Sequence, residues 1–187
     1  FHICRMTFKN HTCCGHTFAA IDGALALKAK MGVAANDIDQ VRVGTYKAAL
    51  EVAGYEQPRT AAEARFSLKY VVATALTHGN VRLAAFEPAR MEDKVTRSFM
   101  DKISVSVDKE LDAAFPHQRA ARVSITARGR SGEHLQPTRI GDPDAPLSDA
   151  QLEQKYFELA VPVIGDSKAR ALLGKLWKLE TEKSLNP

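Results

Sequence analysis

The sequence predicts an α+β fold: a two-layer sandwich with helices on one face of a small, mostly antiparallel sheet, followed by helices at the C-terminal end. Three observations carry this. Residues 103–107 and 121–127 alternate apolar and polar side chains, the period of a half-buried strand. Residues 17–31 and 60–76 repeat apolar side chains at helical spacing. The later strands follow one another directly instead of alternating with helices, giving the order α-β-α-α-β-β-β-α-α. With 187 residues, 45% hydrophobic and 26% charged, the chain is long enough to bury a real core.

Taken in order, Phe18, Ile21, Leu25 and Ala29 form one stripe of a first helix over 17–31, which stops at Gly32. Ile38, Val41 and Val43 mark a strand running into Thr45-Tyr46, and a short helix over 47–53 follows. Thr60 and Glu63 have the spacing of a capping box, in which hydroxyl and carboxylate each satisfy a free backbone N–H. The helix it opens carries the stripe Leu68, Val71, Val72, Ala75 and Leu76 up to Gly79. Residues 92–100 give another amphipathic helix. After the strands at 103–107 and 121–127, the tetrad Gly129-Arg130-Ser131-Gly132 reads as a hairpin tip that returns 133–139 as a third strand. Ser148 and Gln151 open a helix to about 159, and a last helix over 167–180 has Leu172, Leu173, Leu176 and Trp177 as its apolar face. The natural division is 1–145 for the α+β domain and 146–187 for a helical tail.

The net charge of +4 suits an anionic metabolite as well as a nucleic acid. No apolar run approaches the length of a membrane span. The chain opens at Phe1 without a secretory signal pattern and reads as a fragment of a longer protein. Three cysteines, two of them adjacent, make a poor disulfide framework, so a reducing, cytoplasmic setting is expected.

Candidate chemistry concentrates in Lys9-Asn10-His11-Thr12-Cys13-Cys14-Gly15-His16-Thr17, at the threshold of the first helix. A helix N-terminus attracts anions, and with a lysine and two histidines nearby the segment suits a carboxylate and a proton transfer. The plainer alternative is a polar loop with a solvated lysine. Adjacent cysteines without a C-x-x-C pair argue against zinc, and the thiols read as small buried residues. Tyr46 and Tyr70 offer phenols at element ends, or else pack amphipathically; Ser67 is a weaker candidate. No nucleophile elbow, P-loop or dinucleotide fingerprint is present. Arg122, Arg128, Arg130 and Arg139 would line one sheet face, yet these strands lack the aromatics of an RNA platform.

Read together, the Lys9–Asp22 segment, Glu63-Ala64-Arg65-Phe66-Ser67-Leu68-Lys69-Tyr70 and Gly141-Asp142-Pro143-Asp144-Ala145-Pro146-Leu147-Ser148 resemble the MmgE/PrpD family, in order and in spacing. The resemblance covers essentially the whole chain but only the C-terminal part of the family's pattern. It implies a two-domain enzyme that needs no cofactor, with a helical N-terminal domain closing on this one around a small polycarboxylate. Known activities in the family are 2-methylcitrate dehydration, cis-aconitate decarboxylation and iminodisuccinate epimerisation. The resemblance makes Lys9 the first catalytic candidate and matches Asp22 to a family aspartate. Many relatives carry a histidine where this chain has Phe18, with His16 standing two residues earlier.

The expectation is therefore the C-terminal portion of a lyase or isomerase, 2-methylcitrate dehydratase-like first, inactive without its N-terminal domain and homo-oligomeric. Lys9, His16 and Tyr46 are its expected catalytic residues; His11, Cys14, Thr17 and Asp22 are expected to bind substrate. No metal, cofactor, nucleic acid or membrane partner is expected. The alternative is a non-catalytic basic α+β module that binds RNA or an anionic partner.

Overall fold

Period-two alternation becomes four strands in the computed structural model, which describes residues 2–181. The chain divides into two compact units, one ending at Ala145 and the other beginning at Pro146. In chain order the first unit contains α1 (Phe18–Met31), β1 (Ile38–Thr45), α2 (Lys47–Val52), α3 (Ala61–Arg65), α4 (Leu68–His78), α5 (Pro88–Met91), α6 (Lys94–Met100), β2 (Ile103–Val107), α7 (Lys109–Ala114), β3 (Ala121–Ala127) and β4 (Arg130–Gln136). The sheet order is β2-β1-β3-β4. β1 pairs parallel with β2 and antiparallel with β3, and β3 pairs antiparallel with β4. The sheet is thus mixed. Its one parallel pairing requires a long crossover, which α2–α6 supply.

The inner sheet face carries Val41, Val43, Ile103, Val123 and Ile125, all buried with Phe18, Ile21 and Leu27 of α1 and Leu68, Val71, Val72 and Leu76 of α4. Helix α1 lies very close to the sheet. A Cβ on Gly23 would stand 3.2 Å from Val123 and Gln136, and one on Gly132 would stand 3.0 Å from Met31 Sδ. Small residues at these crossings let helix and strands approach.

The structure redraws several expectations. The inward residue near the end of α1 is Leu27, whereas Ala29 is exposed and Leu25 only partly buried. The helix opened by Thr60 and Glu63 closes after Arg65. Ser67 then accepts from Tyr70 N–H and caps α4 separately, because Phe66 leaves the helical region. The β3–β4 turn has two central residues rather than four: Arg128 (φ 50°) and Gly129 (φ 71°) both take the left-handed conformation that matches strand twist. β4 therefore begins at Arg130, three residues before its expected start. Asp108 caps the unforeseen α7 by accepting from Glu110 and Leu111 N–H.

The expected basic sheet face does not form. Arg122 is surrounded by Asp108, Glu110 and Glu133, and Arg128 pairs with Asp37. Arg130 stands opposite Ala127 on the helix-bearing face, and Arg139 lies past the end of β4.

In the second unit, Ser148 and Gln151 form their capping box at the start of α8 (Asp149–Ile164), which tolerates Pro162 in its last turns. Gly165 (φ 80°) separates it from α9 (Asp166–Leu176). Tyr156 donates to Ala169 O, and Trp177 Nε1 to Glu153. Leu172, Leu176 and Trp177 remain exposed. Among the described residues no helix is long and apolar enough to cross a membrane.

Candidate active site

Three backbone hydrogen bonds fix the loop ahead of α1. Phe8 N–H donates to Gly141 O, Thr12 N–H to Val81 O and Cys14 N–H to Arg65 O, so three distant segments hold one strand of chain. At Gly141 the fit is tight: φ is +105°, and a Cβ would stand 2.0 Å from Phe8 O. Lys9 follows this clasp and is exposed, with its charge reaching the Cys13 thiol. It is not among the residues lining the cleft described below.

His11 turns inward instead. It is 5% exposed, its Nε2 lies 2.8 Å from Asp22 Oδ1, and its ring meets Phe18 edge-on. The other Asp22 oxygen accepts from Ile140 N–H at 2.9 Å. Asp22 thus ties the loop, α1 and the segment after β4 together. Thr17 donates to Cys14 O, and its hydroxyl lies 3.2 Å from the Cys13 sulfur. Burial pushes the Cys13 thiol up to about 12, so it stays protonated and unreactive.

His16, half-buried, points the other way. Its Nδ1 lies 2.9 Å from the Tyr46 hydroxyl. Tyr46 follows β1 directly as the residue before α2 and is fully buried, its ring stacked on Phe115 at 4.4 Å. Burial lowers the His16 pKa below its ordinary value, and the charges of Arg119 and Arg139 lower it further. Burial likewise pushes Tyr46 up to about 12, against the pull of the same two guanidiniums. At neutral pH the pair is an imidazole and a phenol, both uncharged. Their shared proton sits on oxygen or on Nδ1 according to tautomer.

The same two arginines line a cleft of about 380 Å³, together with Thr7, His117, Thr138 and Asp142 among others; His16 and Tyr46 are not among its lining residues. Arg139 grips Asp142 with two donors, Nε to Oδ2 at 2.8 Å and Nη2 to Oδ1 at 2.6 Å, and Thr7 also donates to Oδ1. Burial alone would raise the Asp142 pKa, but these bonds outweigh it and hold the carboxyl below its ordinary range. Arg119 is half-buried and, among the described residues, makes no hydrogen bond or ion pair.

Of the sequence candidates, the structure joins His16 to Tyr46, His11 to Asp22, and Thr17 to Cys14. Tyr70 stands apart, donating to Ala85 O within the core. The sequence reading passed over Phe115 and Arg119. They lie about a hundred residues from His16, and no local pattern marks them. Among the described residues no group of three or more His, Cys, Asp or Glu side chains is placed to hold a metal ion.

Fold and cluster together define an α+β domain in which a neutral histidine–tyrosine pair and two arginines come together. The chain belongs to the MmgE/PrpD family: the family model described as the MmgE/PrpD C-terminal domain matches residues 11–179. That family is associated with lyase- and dehydratase-type enzymes. The chain is also similar to a cis-aconitate decarboxylase-like protein, oryM, of Aspergillus oryzae, at 26% identity over 132 residues. The match covers 70% of this chain and 27% of that relative, so the chain corresponds to about a quarter of its length.

Proposed function

We propose that this chain is the C-terminal portion of a cofactor-independent lyase or isomerase acting on a small polycarboxylate, with 2-methylcitrate dehydration the first activity to test. A helical N-terminal domain completes the site. The observation that supports this most is the His16–Tyr46 hydrogen bond, held beside the guanidiniums of Arg119 and Arg139.

Removing a proton next to a carboxylate builds negative charge, which requires a neutral base and nearby cations. His16 is kept neutral by burial and by the two arginines, so it accepts the proton. Tyr46, kept protonated, donates to the oxygen where charge develops or returns a proton through His16. Lys9 meets substrate charge from the side completed by the N-terminal domain. His11, Asp22, Cys14 and Thr17 hold the loop in register. Their bonds run inside the fold, which favours a positioning role over the substrate contact expected from sequence.

The test is turnover of the full-length protein with 2-methylcitrate, cis-aconitate, citrate and iminodisuccinate, with His16→Ala, Tyr46→Phe and Lys9→Ala alongside. One substrate should turn over and should lose about 100-fold or more in kcat with His16→Ala. Failure of all four substrates, or full activity in the His16 variant, would overturn the reading.

A further inference from the structure

Two arginines line one cleft, and they differ in how much of the guanidinium is already engaged. Arg139 commits Nε and Nη2 to the two oxygens of Asp142, with Nη2 also within 3.4 Å of the Thr7 hydroxyl. Most of its fork is spent on building the wall. Asp142 is correspondingly matched, by Arg139 and by the Thr7 hydroxyl. The remaining carboxylate of the lining, Asp144, is exposed and makes no ion pair with Arg119. Arg119 is therefore a half-buried fork of five donors with no anion on it. Such a group is stabilised when a carboxylate arrives in bidentate geometry. Its charge acts on both His16 and Tyr46, which sets the reach. A ligand held by one carboxylate on Arg119 lies within the range over which that charge acts on the pair. About 380 Å³ accommodates a small metabolite.

We infer that Arg119 is the specificity-determining residue of this site, docking a carboxylate remote from the bond that breaks, while Arg139 serves only as scaffold. This rests on the acid/base reading above and names how that site recognises a substrate with more than one carboxylate. Because the bond to Arg119 is the same before and during reaction, its loss acts on KM and leaves kcat largely intact.

The experiment uses the full-length protein, titrated calorimetrically with propane-1,2,3-tricarboxylate, which cannot react, and separately with inorganic phosphate. Arg119→Gln should weaken tricarboxylate binding by about 10- to 100-fold, with Arg119→Lys recovering part of the loss. Since Arg119 makes no bond within the described residues, the melting temperature of both variants should match that of the parent. Unchanged tricarboxylate affinity in Arg119→Gln overturns the inference, as does a parent protein that binds no tricarboxylate. Equal, Arg119-dependent affinity for phosphate also overturns it, by showing a general oxyanion site. If none of the candidate substrates turns over but tricarboxylate binding still depends on Arg119, the recognition role stands and the reaction assignment falls. If turnover is found and Arg119→Gln leaves KM unchanged, the reverse holds.

Discussion

His11 and His16 lie five residues apart on one loop, each with a single polar side-chain partner, and they do different things. His11 is enclosed, its carboxylate partner also binds the backbone of Ile140, and an aromatic edge closes the space around it. His16 is half-buried, feels the charges of two arginines that line a cleft, and has a phenol rather than an ion as its partner. A histidine locked to a buried carboxylate is a fastener. One bonded to a neutral hydroxyl, with cations nearby to keep it unprotonated, is free to exchange a proton. What separates them is access: among the described residues the second ring nitrogen of His11 is buried without a partner, whereas His16 is part-exposed.

The sharpest way to break this contrast is to delete each side. On the proposed function, His16→Ala or Tyr46→Phe should lower kcat of the full-length protein by about 100- to 1,000-fold while leaving the urea midpoint nearly in place. A comparable loss of stability instead would make the pair structural. Asp22→Ala should do the opposite. It strands His11 and the Ile140 N–H, costing about 3 kcal/mol in denaturant unfolding, with a smaller loss of turnover per folded molecule than in the other two variants.

The titration of His16 sharpens the point. Its folded pKa lies below the ordinary 6.5, so the unfolded chain takes up this proton first as the solution is acidified. The associated stability is complete above pH 6.5 and is lost as pH falls through the folded value. The acid limb of kcat/KM should therefore fall below 6.5; a limb at or above 6.5 would contradict a base kept neutral by burial and arginines.

The smallest effect belongs to a third histidine. His78 Nε2 lies 3.0 Å from Asp93 and 2.9 Å from Thr96, while Arg90 faces its Nδ1. Here Asp93 caps α6, and bonds from Thr96, from backbone N–H groups and from His78 draw its pKa down to about 2. His78→Ala should cost about 1 kcal/mol and leave turnover unchanged. The contribution of Asp93 should be present above its ordinary 3.8 and fade as pH falls toward 2, read by acid unfolding of Asp93→Asn against the parent.

Local rules account for much of what could be read in advance. Both capping boxes, the stop at Gly79 and the alternation of β2 and β3 rest on residues within a few positions of one another. The hairpin failed by a small step, because a left-handed Arg128 shares the turn with Gly129 where sequence gives no reason to place it. α3 and α4 were read as one because the break at Phe66-Ser67 lacks glycine or proline. Within the site, His16 and Tyr46 were each legible as chemistry, but their bond was not. It depends on the turn ahead of α1 and the end of β1 meeting across 30 residues. Arg119 and Arg139 converge because β3 and β4 bring the chain back past the start of α1. Nothing in either arginine's neighbours announces that.

The clasp between Phe8 and Gly141 has an architectural consequence. The chain enters the first unit and leaves it at a single corner, with the incoming and outgoing strands bonded to each other. Closing the two ends against each other couples them, so that a side chain at position 141 would loosen the entry and the exit of the unit together. That coupling resides in one glycine without which the two strands could not touch.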